Sequence, residues 1–150
     1  DYPPDLIDNA AGGRRALAAL EDPLVDRLVW RSLQRGLGAV VARTPRAAID
    51  CNRAEHELDP ALVRGAPRTG VSARTRGGLG LVPTRTQRDG YLWRRPLARA
   101  ELDARVEQAW RPYHAALSAL IAEAREQFGS VLLLDCHSMP PPAAGVPPVI

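Results

Sequence analysis

Apolar and polar positions alternate with three different rhythms along this chain. The clearest is late. Leu102, Val106, Trp110, Tyr113, Leu117, Leu120, Ile121, Ala124 and Phe128 step by three or four residues, which predicts a helix over 102–128. Pro112 falls inside it and should kink or divide it, because proline cannot donate the helical N–H. Gly129 ends it. Val131, Leu132, Leu133 and Leu134 then follow without a polar break, and such a run predicts a strand buried on both faces near the centre of a sheet.

The first third is weaker in pattern. Leu24, Val25, Leu28 and Val29 predict a helix from Pro23 to about Arg35, with Asp22 as cap, Pro23 in the first helical position, and Gly36 and Gly38 as the stop. Residues 39–42 and 47–51 read as strands, separated by Thr44-Pro45. Residues 1–20 begin irregularly, with Pro3-Pro4 and Gly12-Gly13. Residues 55–96 show little periodicity beyond short β-like pieces at 79–82 and 91–93. The order predicts an α/β fold, a mixed β-sheet flanked by helices, in one domain over 1–150. The proline-rich residues 140–148 are expected to lead away from the sheet.

At 150 residues and 45% hydrophobic the chain can bury a real core. No apolar run approaches the roughly 20 residues of a membrane span, and no signal-peptide pattern is visible, so a cytoplasmic protein is expected. The two cysteines, Cys51 and Cys136, each follow an Asp and lack metal-type Cys-x-x-Cys spacing. They read as buried thiols of a reducing compartment, Cys136 lying on the core side of its strand. All 20 basic residues are Arg. Nine of them lie in 61–100 against one acid, Asp89, a net +8, while the remainder carries −5. A basic segment on a mildly acidic body suggests an anionic ligand.

Chemistry concentrates at strand ends. Asp135-Cys136-His137-Ser138 closes the apolar run, where open α/β sheets place their functional groups. His137 can hold a metal there, with Asp135 orienting its ring. Glu21, Asp22 and Asp26 form an acidic cluster that either stabilises a helix start or supplies a metal ligand; Asp22 and Asp26, four apart, would share one helical face. Asn52-Arg53 follows the second strand, and an arginine there can clamp a carboxylate or form a surface ion pair. Arg74 and Arg76 lie in a glycine-rich loop that lacks the Lys-Ser/Thr ending of a phosphate-binding P-loop. His56 and His114 read as structural, since neither sits in a metal-binding spacing.

Assembled, these pieces resemble the N-formylglutamate amidohydrolase family. The resemblance rests on Asp1-Tyr2-Pro3, Glu21-Asp22 with Val25-Asp26, and Arg46 leading to Ile49-Asp50-Cys51-Asn52-Arg53. It continues through Glu57-Leu58-Asp59-Pro60, Gly78-Leu79-Gly80-Leu81-Val82-Pro83, Tyr113-His114 and Leu134-Asp135-Cys136-His137-Ser138-Met139-Pro140. It implies a zinc-peptidase-type fold related to the carboxypeptidases, and zinc-dependent hydrolysis of N-formyl-L-glutamate, or a related N-acyl amino acid, in histidine degradation. By the same resemblance His137 is a ligand of the one zinc ion, and the carboxylate ligand comes from Glu21, Asp22 or Asp26. Arg53 with Asn52 clamps a substrate carboxylate, and Arg74 or Arg76 meets the second carboxylate or the developing oxyanion. The family's Pro-His-Ser-Gly motif, which carries a zinc-binding His, would precede Asp1. Its general-base Glu would follow Ile150. A piece incomplete at both ends and inactive alone is therefore expected.

Two other readings compete. The Arg-rich middle could bind nucleic acid, although only Tyr91 and Trp93 are there to stack on bases. A non-catalytic relative could keep the fold as a binding protein. The amidohydrolase reading expects a small dianionic substrate, with neither nucleic acid nor membrane as partner, and leaves the oligomeric state open.

Overall fold

The computed structural model describes residues 1–86 and 90–138. Helices α1 (Pro4–Asn9), α2 (Gly13–Ala18) and α3 (Val25–Gln34) come first. A short α4 (Ala73–Arg76) precedes the two-stranded antiparallel pair β1 (Arg85–Thr86) and β2 (Gly90–Tyr91), with Arg85 opposite Tyr91 and Thr86 opposite Gly90. The chain then runs through α5 (Arg99–Arg105), a π-helical turn at Val106–Trp110, and α6 (Arg111–Phe128). The described residues are thus mixed α/β, but helix-rich with one small sheet.

The core forms around the segment with least periodicity. Leu58, Leu62, Val63, Leu81, Val82, Leu92, Trp93 and Leu97 pack with Leu6, Leu17, Ile49, Leu102 and Val106. Irregular backbone can be buried there because its polar groups find partners. Leu81 donates its N–H to the Glu57 carbonyl at 2.7 Å, and Asp50 donates to the Leu81 carbonyl at 2.7 Å. Asn9 lies buried and acts as a side-chain rung: Arg95 donates its N–H to Oδ1 at 2.9 Å, and Nδ2 donates to the Arg95 carbonyl at 3.3 Å. Trp93 Nε1 donates to the Pro83 carbonyl at 2.7 Å. Gly80 lets two segments touch, since a Cβ there would stand 2.5 Å from the Glu57 carbonyl oxygen.

Several expectations need correction. The irregular start expected of residues 1–20 extends only to Pro3, and α1 and α2 follow; each spans only six residues, too few for a periodic signal. The helix expected from Pro23 begins at Val25, after Leu24 in the left-handed region at φ 66°. Asp22 does not cap it, because its carboxylate is committed elsewhere, as described below. Asp22 and Asp26 consequently share no helical face. Residues 39–42 have no regular structure, and 46–48 form a turn in which Ala48 N–H bonds the Pro45 carbonyl. Ala47, Ala48, Ile49 and Asp50 are nonetheless buried, so the apolar signal reported burial rather than a strand.

The apolar run 131–134 is not a buried central strand here. It has no regular structure, and Leu132 and Leu134 are 82% and 73% exposed. No strand among the described residues pairs with it, and without a partner the backbone gains no ladder. Cys136 is accordingly exposed rather than core, while Cys51 is half-buried; both are free thiols. Of the β-like pieces, 79–82 forms no strand, whereas in 91–93 Tyr91 pairs within β2 and Trp93 makes an isolated antiparallel bridge to Ala10. The expected division of the long helix at Pro112 takes the form of the π turn just before it, so that Pro112 sits in the first turn of α6, where no N–H is required. Gly129 ends α6 at φ 73°. The proline-rich 140–148, with Met139, lie outside the described residues. No described helix is long and apolar enough to cross a membrane.

Candidate active site

Three stretches distant in sequence, around Asp22, around Asn52 and over 135–138, meet at His137. Its Nδ1 lies 2.8 Å from Asp22 Oδ2, and its Nε2 lies 3.0 Å from Asp135 Oδ1 and 3.0 Å from Asn52 Nδ2. Asn52 Nδ2 also donates to Asp135 Oδ2 at 2.8 Å. The other Asp22 oxygen, Oδ1, accepts from the Ser138 N–H at 2.9 Å and its hydroxyl at 3.1 Å. This double contact fixes the loop after residue 134 against the segment before α3. The ring has two polar settings. As the imidazolium it donates from both nitrogens to carboxylates. As the Nδ1–H tautomer, its Nε2 lone pair can accept from Asn52.

The electrostatics follow from these contacts. The Asp22 hydrogen bond raises His137 above its ordinary value, aided by Asp135 and opposed by partial burial. Burial works to raise Asp22, but His137, Ser138 and Arg46 outweigh it and hold the carboxyl below its ordinary value. Glu21, next in sequence, moves the other way. Burial raises it, and the Asp22 charge adds to this, despite hydrogen bonds from the Arg46 backbone and Tyr2. Glu21 Oε1 is buried with no hydrogen-bond partner among the described residues.

Behind this cluster lies a turn that presents Asn52 and Arg53. Buried Asp50 organises it. Its Oδ1 accepts the Asn52 N–H at 2.9 Å, and its Oδ2 accepts from Arg46 Nε at 3.1 Å and lies 3.6 Å from Arg53 Nε. Arg53 is also held by carbonyls, donating from Nε to Leu79 at 3.1 Å and from Nη1 to Asn52 at 2.6 Å. Trp110, in the π turn, donates its Nε1 to the Arg53 carbonyl at 2.8 Å. His114 contacts the Cys51 carbonyl at 3.0 Å and stacks on Trp110 at 4.0 Å between ring centroids, a structural position. His56 is exposed and away from these contacts. The thiol of Cys51 is pushed up to about 11 by burial and the Asp50 charge.

The sequence-derived candidates therefore separate. Asp22, Asn52 and His137 converge, and Arg53 adjoins them through Asp50. Glu21 sits beside Asp22 but faces Tyr2 and Arg46. Asp26 is exposed on the first turn of α3. Arg74 and Arg76 are exposed on α4. Arg76 Nη1 donates to the Val71 carbonyl within its own loop, and the Arg74 carbonyl accepts the Leu79 N–H, which brings that loop against Arg53. Arg46 was not singled out by spacing: its position four before Asp50 is visible in the sequence, but nothing there points to Asp22.

For a metal, Asp22 Oδ2 and His137 Nδ1 are the oxygen and nitrogen donors that zinc favours. Asp135 approaches the opposite edge of the same ring, so it cannot share an ion with Asp22. Among the described residues no group of three or more His, Cys, Asp or Glu side chains is arranged to hold a metal. The donors fit zinc as part of a ligand set.

The family model described as N-formylglutamate amidohydrolase matches residues 1–149. An N-formylglutamate deformylase from Pseudomonas putida is 34% identical over 154 residues, covering 91% of this chain and 52% of that protein. A crystal structure of N-formylglutamate amidohydrolase from Ralstonia eutropha JMP134 superposes with a TM-score of 0.72 at 34% identity, covering 87% of this chain and 47% of that one. The chain spans about half the length of these relatives. By the extent of these matches, the chain belongs to the N-formylglutamate amidohydrolase family.

Proposed function

We propose that the protein carrying this chain hydrolyses the formamide bond of N-formyl-L-glutamate, or a close N-acyl amino acid, with zinc as cofactor. The observation that carries this reading is the meeting of Asp22, Asn52 and His137 beside Arg53, in a chain of this family. His137 and Asp22 would hold the ion. When bound, zinc supplies Lewis-acid polarisation of the formyl carbonyl and acidifies water.

The chain's own residues do the rest. N-formylglutamate is a dianion near neutral pH. Arg53 receives one carboxylate; two of its N–H groups are spent on the Leu79 and Asn52 carbonyls, which fixes the plane of the fork. Asn52 stands between Arg53 and the His137 ring, where its amide can orient the formyl group. Arg74 or Arg76 meets the second carboxylate or the oxyanion. Such positioning contributes several kcal/mol to a reaction of this kind. Asp135 holds the imidazole at Nε2, on the edge away from the ion, so the ring's orientation is set before substrate arrives.

The test is formate release from N-formyl-L-glutamate by the protein carrying this chain, with and without chelator. Chelator-sensitive release that disappears in His137→Ala supports the reading. Release that survives this substitution, or a protein that binds random-sequence nucleic acid in a salt-sensitive way and releases no formate, sinks it.

A further inference from the structure

Arg46 holds two carboxylates with two different nitrogens. Nη1 donates to Asp22 Oδ2 at 3.1 Å and Nε donates to Asp50 Oδ2 at 3.1 Å. Each carboxylate serves a different half of the site. Asp22 fixes His137 and Ser138. Asp50 fixes the backbone of Asn52 and lies beside Arg53. The segment carrying Arg46 is itself anchored, since buried Ala47, Ala48 and Ile49 follow it into the core. The Arg46 side chain is only 28% exposed and Asp50 only 6%, so water screens these pairs less than at the surface.

We propose that Arg46 is a positioning residue that locks the His137 half of the site to the Asn52–Arg53 half. A guanidinium suits this task because its donors diverge from a rigid plane. An ammonium places its donors on one nitrogen and cannot reproduce both contacts at the same spacing. Without the cation, Asp22 and Asp50 lose their shared neutralising partner, and the two loops are released from one another.

Two amides report on the lock. Ser138 N–H bonds Asp22 Oδ1 and Asn52 N–H bonds Asp50 Oδ1, 86 residues apart in sequence. In the protein carrying this chain, Arg46→Ala should accelerate hydrogen exchange at both amides by at least ~10-fold. The Leu81 and Leu92 amides, bonded to Glu57 and Thr84 in the core, should keep their rates. Arg46→Lys, which keeps the charge and guards against a variant that fails to fold, should accelerate one of the two reporters. Unchanged exchange at either reporter in Arg46→Ala, or wild-type rates at both in Arg46→Lys, overturns the proposal. This readout does not depend on substrate.

A kinetic arm rests on the amidohydrolase reading. There Arg46→Ala should raise KM and lower kcat together, and millimolar guanidinium should restore activity where ammonium at equal ionic strength does not. Inactive wild-type protein with both reporters accelerated in the variant contradicts the amidohydrolase reading and leaves the lock standing.

Discussion

His137 and Asp22 lie 115 positions apart in sequence, yet Nδ1 and Oδ2 are separated by 2.8 Å. The pair explains why Asp22 does not cap α3. It also sets a pH signature for the metal-free protein. His137 is raised above 6.5, so its contribution to stability is present below that pH and is lost as pH climbs through the folded value. Asp22 is lowered below 3.8, so its contribution is present above that pH and lost as pH falls through its folded value. The pair should therefore stabilise most between about 4 and 6.5. Asp22→Asn should lower the His137 midpoint in an NMR titration of chelator-treated protein; an unmoved midpoint would show that the contact does not form.

Arg53→Ala should raise KM for N-formyl-L-glutamate by roughly 100-fold, because a charge-assisted carboxylate contact is lost. Zinc content should stay at the wild-type level, since Arg53 offers no ligand. Steady-state kinetics with metal analysis on the same preparation check both halves, and an unchanged KM removes Arg53 from the clamp.

Gly80→Ala should destabilise the protein by about 2 kcal/mol or more. The added Cβ meets the Glu57 carbonyl oxygen at 2.5 Å, and that carbonyl accepts the Leu81 N–H. Backbone cannot move aside cheaply on either side. Denaturant unfolding reads the loss, and a wild-type midpoint would mean that the two segments lie farther apart.

The cysteines should differ in reactivity. Cys136 is exposed, whereas Cys51 is half-buried with its thiol pushed up to about 11. At pH 8 only about one Cys51 in a thousand is thiolate. A thiol-disulfide reagent at that pH should consume Cys136 first by a wide margin. Peptide mapping of the labelled protein decides the order, and equal labelling contradicts it.

What the sequence made legible was chemistry and the one strongly periodic helix. Asp22, Asn52, Arg53 and His137 stood out as charged or polar groups beside apolar runs, and they lie together. Residues 39–42, 47–51 and 131–134 form no strand. Apolarity at Ile49 reports burial, but a strand also needs a neighbour to supply its ladder, and that neighbour is a property of the whole fold. The core around Leu58, Leu81 and Trp93 leaves no periodic trace in the sequence because side-chain and loop hydrogen bonds, not a repeating ladder, satisfy its backbone. The bridging role of Arg46 is not legible because its two partners, 24 positions before and four after it, share no periodicity.

The most direct measurement is zinc per chain in the protein carrying this chain, compared with its His137→Ala and Asp22→Ala variants after identical purification. One zinc per chain is expected in the parent, with severe loss in both variants. Full zinc retained by His137→Ala would contradict that expectation.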